Sequence, residues 1–256
     1  MQTKSETVPQ RIVSVVPSQT ELLFDLGLDQ AIVGVTKFCI HPAEKVKGKT
    51  VVGGTKTLHL DRIHDLKPDL ILANKEENTR EQIEELQRHY PVHVTDMHTV
   101  ADALAMIREV GALVGRGPQA GQMAERIAAS FQRLRAAVRD SGPLVAYFIW
   151  RKPYMVAAHG TFIHSMLEMA GFRNALADQT RYPELTVADL QLARPDLIFL
   201  SSEPYPFAEK HRIELQRICP TARVLLVDGE MFSWYGSRML QAAEYIQQLR
   251  QELGLE

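Results

Sequence analysis

The chain reads KPDLILANKEEN over residues 67–78 and RPDLIFLSSEPY over residues 194–205. Each stretch begins with a basic residue, Pro and Asp, continues into a short apolar run, and reaches a glutamate at a matching place, Glu76 and Glu203. Continuous apolar runs such as LILA and LIFL are typical of strands that are buried on both faces of a parallel sheet. The repeated pattern therefore predicts two equivalent strands, one in each half of the chain.

The similarity between the halves extends upstream of both stretches. LHLDRIHDL (58–66) and LTVADLQLA (185–193) carry apolar residues at the spacing of one helix face. The matched positions are Leu58, Leu60, Ile63 and Leu66 in the first half and Leu185, Val187, Leu190 and Ala193 in the second. Farther upstream, SQTELLFDLGL (18–28) and FIHSMLEMAGF (162–172) predict helices that end at Gly27 and Gly171, each after a strand-like run, RIVSVV or YMVAA. Four matched elements in one order predict a duplicated lobe.

A long amphipathic segment separates the halves. Residues 117–140 place apolar side chains at i, i+3, i+4 and i+7 between Gly117-Pro118 and the stretch Ser141-Gly142-Pro143. This pattern predicts one helix of roughly 22 residues, about 33 Å long. We therefore predict an N-terminal lobe at 1–115, a linking helix at 116–141 and a C-terminal lobe at 142–256, with little lobe motion because one stiff helix joins them.

Further strand-like runs alternate with helical patterns at 78–89, 100–114 and 237–253. The runs are AIVGV (31–35), TVVGG (50–54), VHVTD (92–96), LVAYFIW (144–150) and RVLLVD (223–228). Alternating strands and helices favour parallel sheets, so the predicted fold class is α/β with two Rossmann-like lobes.

Composition excludes several kinds of partner. A net charge of −2 and a pI near 6.5 give no reason to expect binding to nucleic acid or to an anionic membrane.

The first apolar run, 12–16, is shorter than the roughly 7–15 residues of a secretory leader, and no run approaches the roughly 20 residues of a membrane span. We therefore expect a cytoplasmic protein if Met1 is the native start, although a removed leader would leave the same sequence. Cys39 and Cys219 are expected to be free thiols.

The motifs that would indicate catalysis are absent or misplaced. AEKVKGKT (43–50) resembles a P-loop, but it follows a turn and precedes a strand, the reverse of the order that a P-loop needs. The sequence contains neither G-x-S-x-G nor G-x-G-x-x-G, and its nine histidines form no H-E-x-x-H motif. We therefore predict no enzyme, no catalytic residue and no metal ligand from the protein.

Aromatic and basic residues follow several predicted strands. Ligands of open α/β sheets bind beyond the carboxyl ends of the strands, and two tryptophan–cation clusters there favour a large, partly flat ligand. The candidate ligand-binding residues are Lys37, Phe38, Lys56, Trp150, Arg151, Lys152, Tyr182, Phe232, Trp234, Tyr235 and Arg238. Glu76 and Glu203 would suit docking onto a two-fold partner that carries arginines.

These features together resemble the class III periplasmic binding proteins, the solute receptors of ABC importers for vitamin B12, ferric siderophores and haem. The resemblance rests on RIVSVVPSQTELLFDLGL (11–28), the paired PDLI strands, the long helix and DGEMFSWYGSR (228–238), and it covers residues 11–253. It is closest to the vitamin B12-binding branch. It implies a ligand cleft between two lobes, and docking of one glutamate per lobe, Glu76 (or Glu77) and Glu203, onto the permease dimer. It also implies a monomer in the periplasm or on the cell surface without membrane insertion.

Two classes of function remain open. The favoured one is a non-catalytic receptor for a cobalt corrinoid, which would carry its own metal so that no intrinsic cofactor is needed. Lys37, Arg151, Lys152 and Arg238 would equally suit an anionic ferric siderophore, and haem is a further alternative. The other class is a cytoplasmic corrinoid-handling chaperone or salvage enzyme on the same scaffold, which the lack of a leader favours, whereas the matched glutamates favour the receptor.

Overall fold

The computed structural model describes residues 8–138 and 142–255, which form two compact units. The first unit contains the described residues up to Asp96, together with Asp102–Arg126 and Tyr235–Arg238. The second contains Met97–Ala101, the described residues of Ile127–Trp234, and those from Met239 onward. Residues 139–141, into which the predicted linking segment extends, lie outside the described residues.

A parallel sheet of five strands forms the centre of the first unit, in the order β3-β2-β1-β4-β5. The strands are β1 (Ile12–Ser14), β2 (Ile32–Val35), β3 (Thr50–Val51), β4 (Leu70–Asn74) and β5 (Val92–Thr95). The helices are α1 (Pro17–Asp25), α2 (Ala43–Val46), α3 (Leu60–Leu66), α4 (Arg80–Gln87) and α5 (Val100–Leu113), the last of which belongs to this unit from Asp102 onward. All five residues of β4 are buried, as its apolar sequence predicts.

The second unit is built on a sheet of six strands, in the order β11-β10-β6-β7-β9, with β8 paired to β6. The strands are β6 (Leu144–Trp150), β7 (Tyr154–Val156), β8 (Arg173–Asn174), β9 (Glu184–Leu185), β10 (Leu197–Ser201) and β11 (Arg223–Val227). The helices are α7 (Phe162–Met169), α8 (Val187–Ala193), α9 (Glu209–Ile218), α10 (Glu230–Ser233) and α11 (Met239–Glu252).

The second sheet is mixed, which corrects the prediction of a parallel sheet in each lobe. Strand β7, part of the predicted run YMVAA, is antiparallel to both β6 and β9. Only Arg151, Lys152 and Pro153 lie between β6 and β7. A parallel connection needs a crossover of a dozen or more residues, so this chain must turn back. The remaining pairs of β6, with β8 and β10, are parallel, as is the pair of β10 with β11.

The basic-Pro-Asp turns explain why the sequence repeats. Lys67 and Arg194 end helices α3 and α8 in the left-handed conformation, both with φ of 45°. Two residues later, Asp69 accepts hydrogen bonds from the backbone N–H groups of Gln10 (2.7 Å) and Arg11 (2.8 Å), just before β1. Asp196 accepts one from the N–H of Leu144 (2.8 Å), at the start of β6. The counterpart of β1 is therefore β6, and not the run YMVAA.

The predicted helix face is confirmed only within α3 and α8, because Leu58 precedes α3 and Leu185 lies in β9. Leu58, Ile63 and Leu190 are buried, and Ile63 and Leu190 are fully inaccessible to solvent. Val187, in contrast, is 42% exposed. It is the first residue of α8, directly after Thr186, whose hydroxyl and backbone form a capping box with Asp189. The capped first turn of α8 faces solvent. The sequence match between Val187 and Leu60 predicted a buried side chain there.

The long helix α6 (Gly117–Ala136) is shorter than the predicted segment 116–141. Its residues up to Arg126 belong to the first unit and those from Ile127 to the second. The predicted apolar stripe is buried at Ala120, Ala124, Ile127, Phe131 and Leu134. Two α/β units and a long helix confirm the predicted fold class. The predicted boundaries at 115 and 142 stay a prediction, and the compact units are composed differently.

Candidate functional site

Two asparagines organise the end of β4 in the first unit. The side-chain N–H of Asn74 donates to the carbonyl of Thr95 (2.9 Å), and its Oδ1 accepts from the N–H groups of Glu76 (2.8 Å) and Glu77 (3.1 Å). Asn78 donates from Nδ2 to the carbonyls of Val15 (3.1 Å) and Thr55 (3.0 Å). These buried amides fix the turn that carries Glu76 and Glu77 and join it to the loops after β1 and β3 and to the end of β5.

Sequence reasoning missed the role of Asn74 and Asn78. A visible signal was available, because two asparagines four positions apart follow a fully apolar strand. Asn74 also donates its backbone N–H to Oδ1 of Asn78 at 2.8 Å, so the two residues act as one unit. Asparagine side chains favour such turns because they bond to nearby backbone groups.

Lys37 and Phe38 lie together at the end of β2, as predicted. Phe38 is 50% exposed, and the Nζ of Lys37 lies 5.0 Å from the centre of its ring. A Cβ on Gly54 would lie 3.2 Å from the Phe38 ring, so the lack of a side chain at Gly54 leaves room for that ring. Lys56 is exposed and donates from Nζ to the carbonyl of Glu76 at 2.5 Å. This edge of the first sheet therefore presents the aromatic face of Phe38 beside the long cationic side chains of Lys37 and Lys56.

Arg238 does not fit its predicted role as a cation exposed to ligand. Its guanidinium forms a two-point ion pair with Glu21, with Nε–Oε2 at 2.8 Å and Nη2–Oε1 at 2.5 Å. The exposed fractions of the two side chains are only 7% and 9%. The buried guanidinium is neutralised by the carboxylate of Glu21, so its charge does not serve to bind an anionic ligand. Tyr235, which precedes Arg238 in the first unit, is buried as well.

Trp150 is the last residue of β6 in the second unit, and Arg151 directly follows it. Trp150 is 40% exposed, its Nε1 donates to the carbonyl of Lys152 (3.2 Å), and its ring packs edge-on against Tyr205 with centroids 5.5 Å apart. Lys152 is exposed. Arg151 instead pairs with Glu214 at 2.6 Å. Trp150 and Lys152 therefore remain accessible, whereas the charge of Arg151 is matched within the unit.

Phe232, one of the candidate ligand residues, packs in the core of the second unit. It is fully buried, and its ring centroid lies 5.3 Å from Tyr147, 6.0 Å from Phe199 and 6.2 Å from Tyr245. The sequence signal was an aromatic residue after a strand, which is also the signal of a core residue that closes a sheet edge. Tyr182 is half-buried, with the guanidinium of Arg181 lying 5.7 Å from its ring centre.

Glu203 has a different environment from Glu76, although the two occupy matching sequence positions. Its Oε1 accepts hydrogen bonds from the hydroxyl of Ser233 (2.7 Å) and from the indole Nε1 of Trp234 (2.8 Å). Burial raises the pKa of Glu203, and these two hydrogen bonds act in the opposite direction. Trp234 is only 7% exposed. The structure thus brings Glu203 and Trp234 together, a contact that the sequence did not predict.

Within 8–138 and 142–255, His, Cys, Asp and Glu side chains form no group of three or more that could hold a metal ion. The same residues include no helix that combines the length and the apolar character needed to cross a membrane. Cys39 and Cys219 are free and buried, and burial raises the pKa of both thiols.

Comparisons with known proteins agree with this architecture. The family model described as periplasmic binding protein matches residues 12–211. A vitamin B12-binding protein of Pectobacterium carotovorum subsp. carotovorum (strain PC1) is 27% identical over 253 residues, covering 95% of this chain and 89% of that protein. The Bacillus subtilis (strain 168) protein YvrC, named an uncharacterized ABC transporter substrate-binding lipoprotein, is 26% identical over 247 residues, covering 92% and 78%.

Solved structures show the same fold. The periplasmic haem-binding protein HutB of Vibrio cholerae superposes with a TM-score of 0.81 at 19% identity, covering 94% of this chain and 98% of that one. The predicted resemblance and the interpretation as a binding protein, not an enzyme, are confirmed, because the family model spans most of the chain. This protein is a member of the periplasmic binding protein family.

Proposed function

We propose that this protein is the solute receptor of an ABC importer, that it binds a metal chelate, and that a cobalt corrinoid is the favoured ligand. The observation that carries the proposal is the alignment of 95% of the chain with a vitamin B12-binding protein. The relative YvrC, named as an ABC transporter substrate-binding lipoprotein, supports delivery to an ABC permease. The proposed ligand supplies the cobalt.

The residues proposed to contact the ligand are those that remain accessible at the strand ends of each unit. In the first unit these are Lys37, Phe38 and Lys56, and in the second Trp150, Lys152 and Tyr182. Flat aromatic faces suit the corrin ring, and lysines suit its amide and phosphate oxygens. Trp234 and Tyr235 are buried, and they stay in the proposal because they belong to the stretch DGEMFSWYGSR (228–238), which directly follows β11.

A ferric siderophore or haem is the alternative ligand class. The exposed lysines Lys37, Lys56 and Lys152 favour an anionic ligand, and the structural relative HutB is named as a haem-binding protein. The salvage-enzyme alternative is dropped, because the family consists of binding proteins. The relatives are named as periplasmic proteins or lipoproteins, which supports a location outside the cytoplasm for this protein too.

Docking onto the permease is proposed to use one carboxylate from each unit. Glu76, with Glu77 as its substitute, and Glu203 are the residues that the duplication matches. The contacts of Glu203 with Ser233 and Trp234 weigh against it. Glu81 and Glu209 are exposed in the first turns of α4 and α9, and we propose them as a second pair for permease arginines, for which Glu209 would exchange its ion pair with Arg212.

Titration of the purified protein with cyanocobalamin, haemin and a ferric hydroxamate siderophore tests the proposal. Tryptophan quenching and calorimetry would follow binding. We expect one-to-one binding of cyanocobalamin with a Kd at or below about 1 μM, some −8 kcal/mol, and weaker binding of the other two. Tight binding of haemin or the siderophore alone would move the proposal to the alternative class, and binding of none would contradict a metal-chelate receptor.

Alanine variants separate the Glu81 and Glu209 pair from the turn glutamates Glu76 and Glu77. We expect the Glu81→Ala/Glu209→Ala or the Glu76→Ala/Glu77→Ala variant to bind ligand normally and to lose stimulation of importer ATPase activity in proteoliposomes. Glu244→Ala, at an exposed position on α11, is the matched control. Full stimulation by all these variants would contradict carboxylate docking.

A further inference from the structure

We propose that Glu203 is a positioning residue, whose carboxylate holds the indole of Trp234 and with it the segment 229–234 against the end of β10. The inference rests on the proposed function, in which this segment belongs to the ligand-binding part of the second unit. It assigns Glu203 a role inside its own unit and not at the docking surface.

Two hydrogen bonds converge on one oxygen of Glu203. The Oγ of Ser233 lies 2.7 Å and the Nε1 of Trp234 lies 2.8 Å from Oε1. Ser233 also lies within hydrogen-bond distance of the carbonyl of Gly229 (2.9 Å). An indole has only this one hydrogen-bonding group, a donor, so its partner fixes the orientation of the whole ring. Glu203 therefore determines where the polar edge of Trp234 points.

Gly229 shows that the chain makes room for the Glu203 side chain. A Cβ at position 229 would lie 2.7 Å from Cγ of Glu203 and 2.3 Å from Oγ of Ser201, which is closer than real contacts allow. The backbone N–H of Gly229 also donates to Oγ of Ser202 at 2.9 Å. Three consecutive residues at the end of β10 thus contact the start of the segment, and only glycine permits this approach.

The energetics argue against a solvated, freely available carboxylate. Burial raises the pKa of Glu203, the like charges of Asp228 and Glu230 raise it further, and the bonds from Ser233 and Trp234 oppose them. An ionisable carboxyl group in surroundings that disfavour its charge indicates a specific role for that group. Holding Trp234 supplies that function and occupies Oε1, the oxygen to which both bonds are made.

The fluorescence of Trp234 tests the inference without any ligand. The chain has two tryptophans, so Trp150→Phe leaves Trp234 as the only tryptophan, which is excited selectively beyond the absorption of tyrosine. In this background we expect Glu203→Ala to shift the emission to the red and to increase acrylamide quenching. Glu203→Gln, which keeps a hydrogen-bond acceptor, should restore most of the native signal. Glu244→Ala is the control for a surface glutamate of the same unit.

Two further measurements separate this inference from the proposed function. With Trp150 restored, Glu203→Ala should weaken cyanocobalamin binding about tenfold, the effect of one lost hydrogen bond to a charged group, and Glu203→Gln should bind nearly normally. A protein that binds no chelate would overturn the proposed function, while the fluorescence would still decide the position of Trp234. Unchanged emission and quenching in Glu203→Ala would overturn the inference. Loss of ATPase stimulation alone would then assign Glu203 to docking.

Discussion

Arg238 and Glu21 form a buried, two-point ion pair between residues that are 217 positions apart in the sequence. Glu21 lies on α1, and Arg238 directly precedes α11. The pair anchors Tyr235–Arg238 in the first unit, although this segment lies near the end of the chain. Arg238 is therefore a structural residue, and its charge serves the first unit itself.

Removal of either partner should strongly destabilise the protein. We expect Glu21→Ala and Arg238→Ala each to lower the free energy of unfolding by about 3–5 kcal/mol, because the remaining charge stays buried without a partner. The double variant Glu21→Leu/Arg238→Met should be closer to wild type. Urea unfolding measures all three. Lys45→Ala is the control, since it breaks the exposed Lys45–Asp29 pair (side-chain exposures 46% and 34%) and should cost about 1 kcal/mol or less. An equal loss in the control and the buried variants would contradict the assignment.

The left-handed turns predict a stabilising substitution. Lys67 and Arg194 are exposed and have φ of 45°, a conformation that costs a non-glycine residue about 1–2 kcal/mol. Glycine removes this cost but loses about 0.5–1 kcal/mol of chain entropy. We therefore expect Lys67→Gly or Arg194→Gly to stabilise the protein by about 0.5 kcal/mol.

Thermal and urea unfolding would check this prediction against Lys47→Gly. Lys47 also follows a helix and is exposed, but its φ is −53°, in the right-handed region. Glycine at that position should destabilise the protein or leave it unchanged. Equal effects at Lys67 and Lys47 would show that the left-handed conformation carries no strain.

The sequence was sufficient for elements whose burial is uniform along a strand or periodic along a helix. LILA and LIFL became β4 and β10, and the stripe of residues 120–134 became the buried face of α6. Hydrophobic patterning decides such elements because it reports local burial. Strand direction is not local in the same sense: the parallel direction predicted for β7 is wrong because only three residues connect it to β6.

The site was less predictable for a related reason. Exposure at a strand end distinguishes Phe38, a ligand candidate, from Phe232, a core residue, yet both are aromatic residues that follow a strand. Likewise Arg151 and Arg238 look like available cations in the sequence, and only tertiary structure provides Glu214 and Glu21 as their partners. The duplication correctly matched the positions of Glu76 and Glu203 but not their contacts.

The stability of the second unit should depend on the ionisation of Glu214. The hydrogen bond from Tyr154 (2.5 Å) and the pairing with Arg151 hold the pKa of Glu214 below its ordinary value, although partial burial opposes them. A pKa that is lower in the folded state stabilises that state at pH values above the ordinary pKa of glutamate. This contribution is lost as the pH falls through the lowered pKa. Glu214→Gln should therefore be destabilising at pH 7, and the difference from wild type should shrink under acidic conditions.

Urea unfolding at a series of pH values would measure this difference. Tyr154→Phe removes the largest cause of the shift and should return the pKa of Glu214 toward its ordinary value, which NMR titration of the carboxyl carbon can follow. The same variant removes a phenol whose pKa is raised to about 12 by burial and by Glu214. A difference between Glu214→Gln and wild type that does not vary with pH would contradict the coupling.

Phe38 should contribute to ligand affinity with little effect on stability. Its ring is 50% exposed and lies close to Gly54, so truncation removes aromatic surface that a flat chelate would cover, not core packing. We expect Phe38→Ala to weaken cyanocobalamin binding by about tenfold, because a stacked aromatic pair contributes some 0.5–1.5 kcal/mol beyond its buried area. Gly54→Ala should weaken binding too, since its Cβ would displace the ring.

Calorimetric titration of these variants would be compared with Leu192→Ala, which truncates a side chain that is 81% exposed on α8. The control should bind as wild type does. If Phe38→Ala binds as tightly as Leu192→Ala while wild-type binding is confirmed, the ligand does not contact the end of β2. The accessible residues of the second unit, Trp150, Lys152 and Tyr182, would then have to carry its recognition.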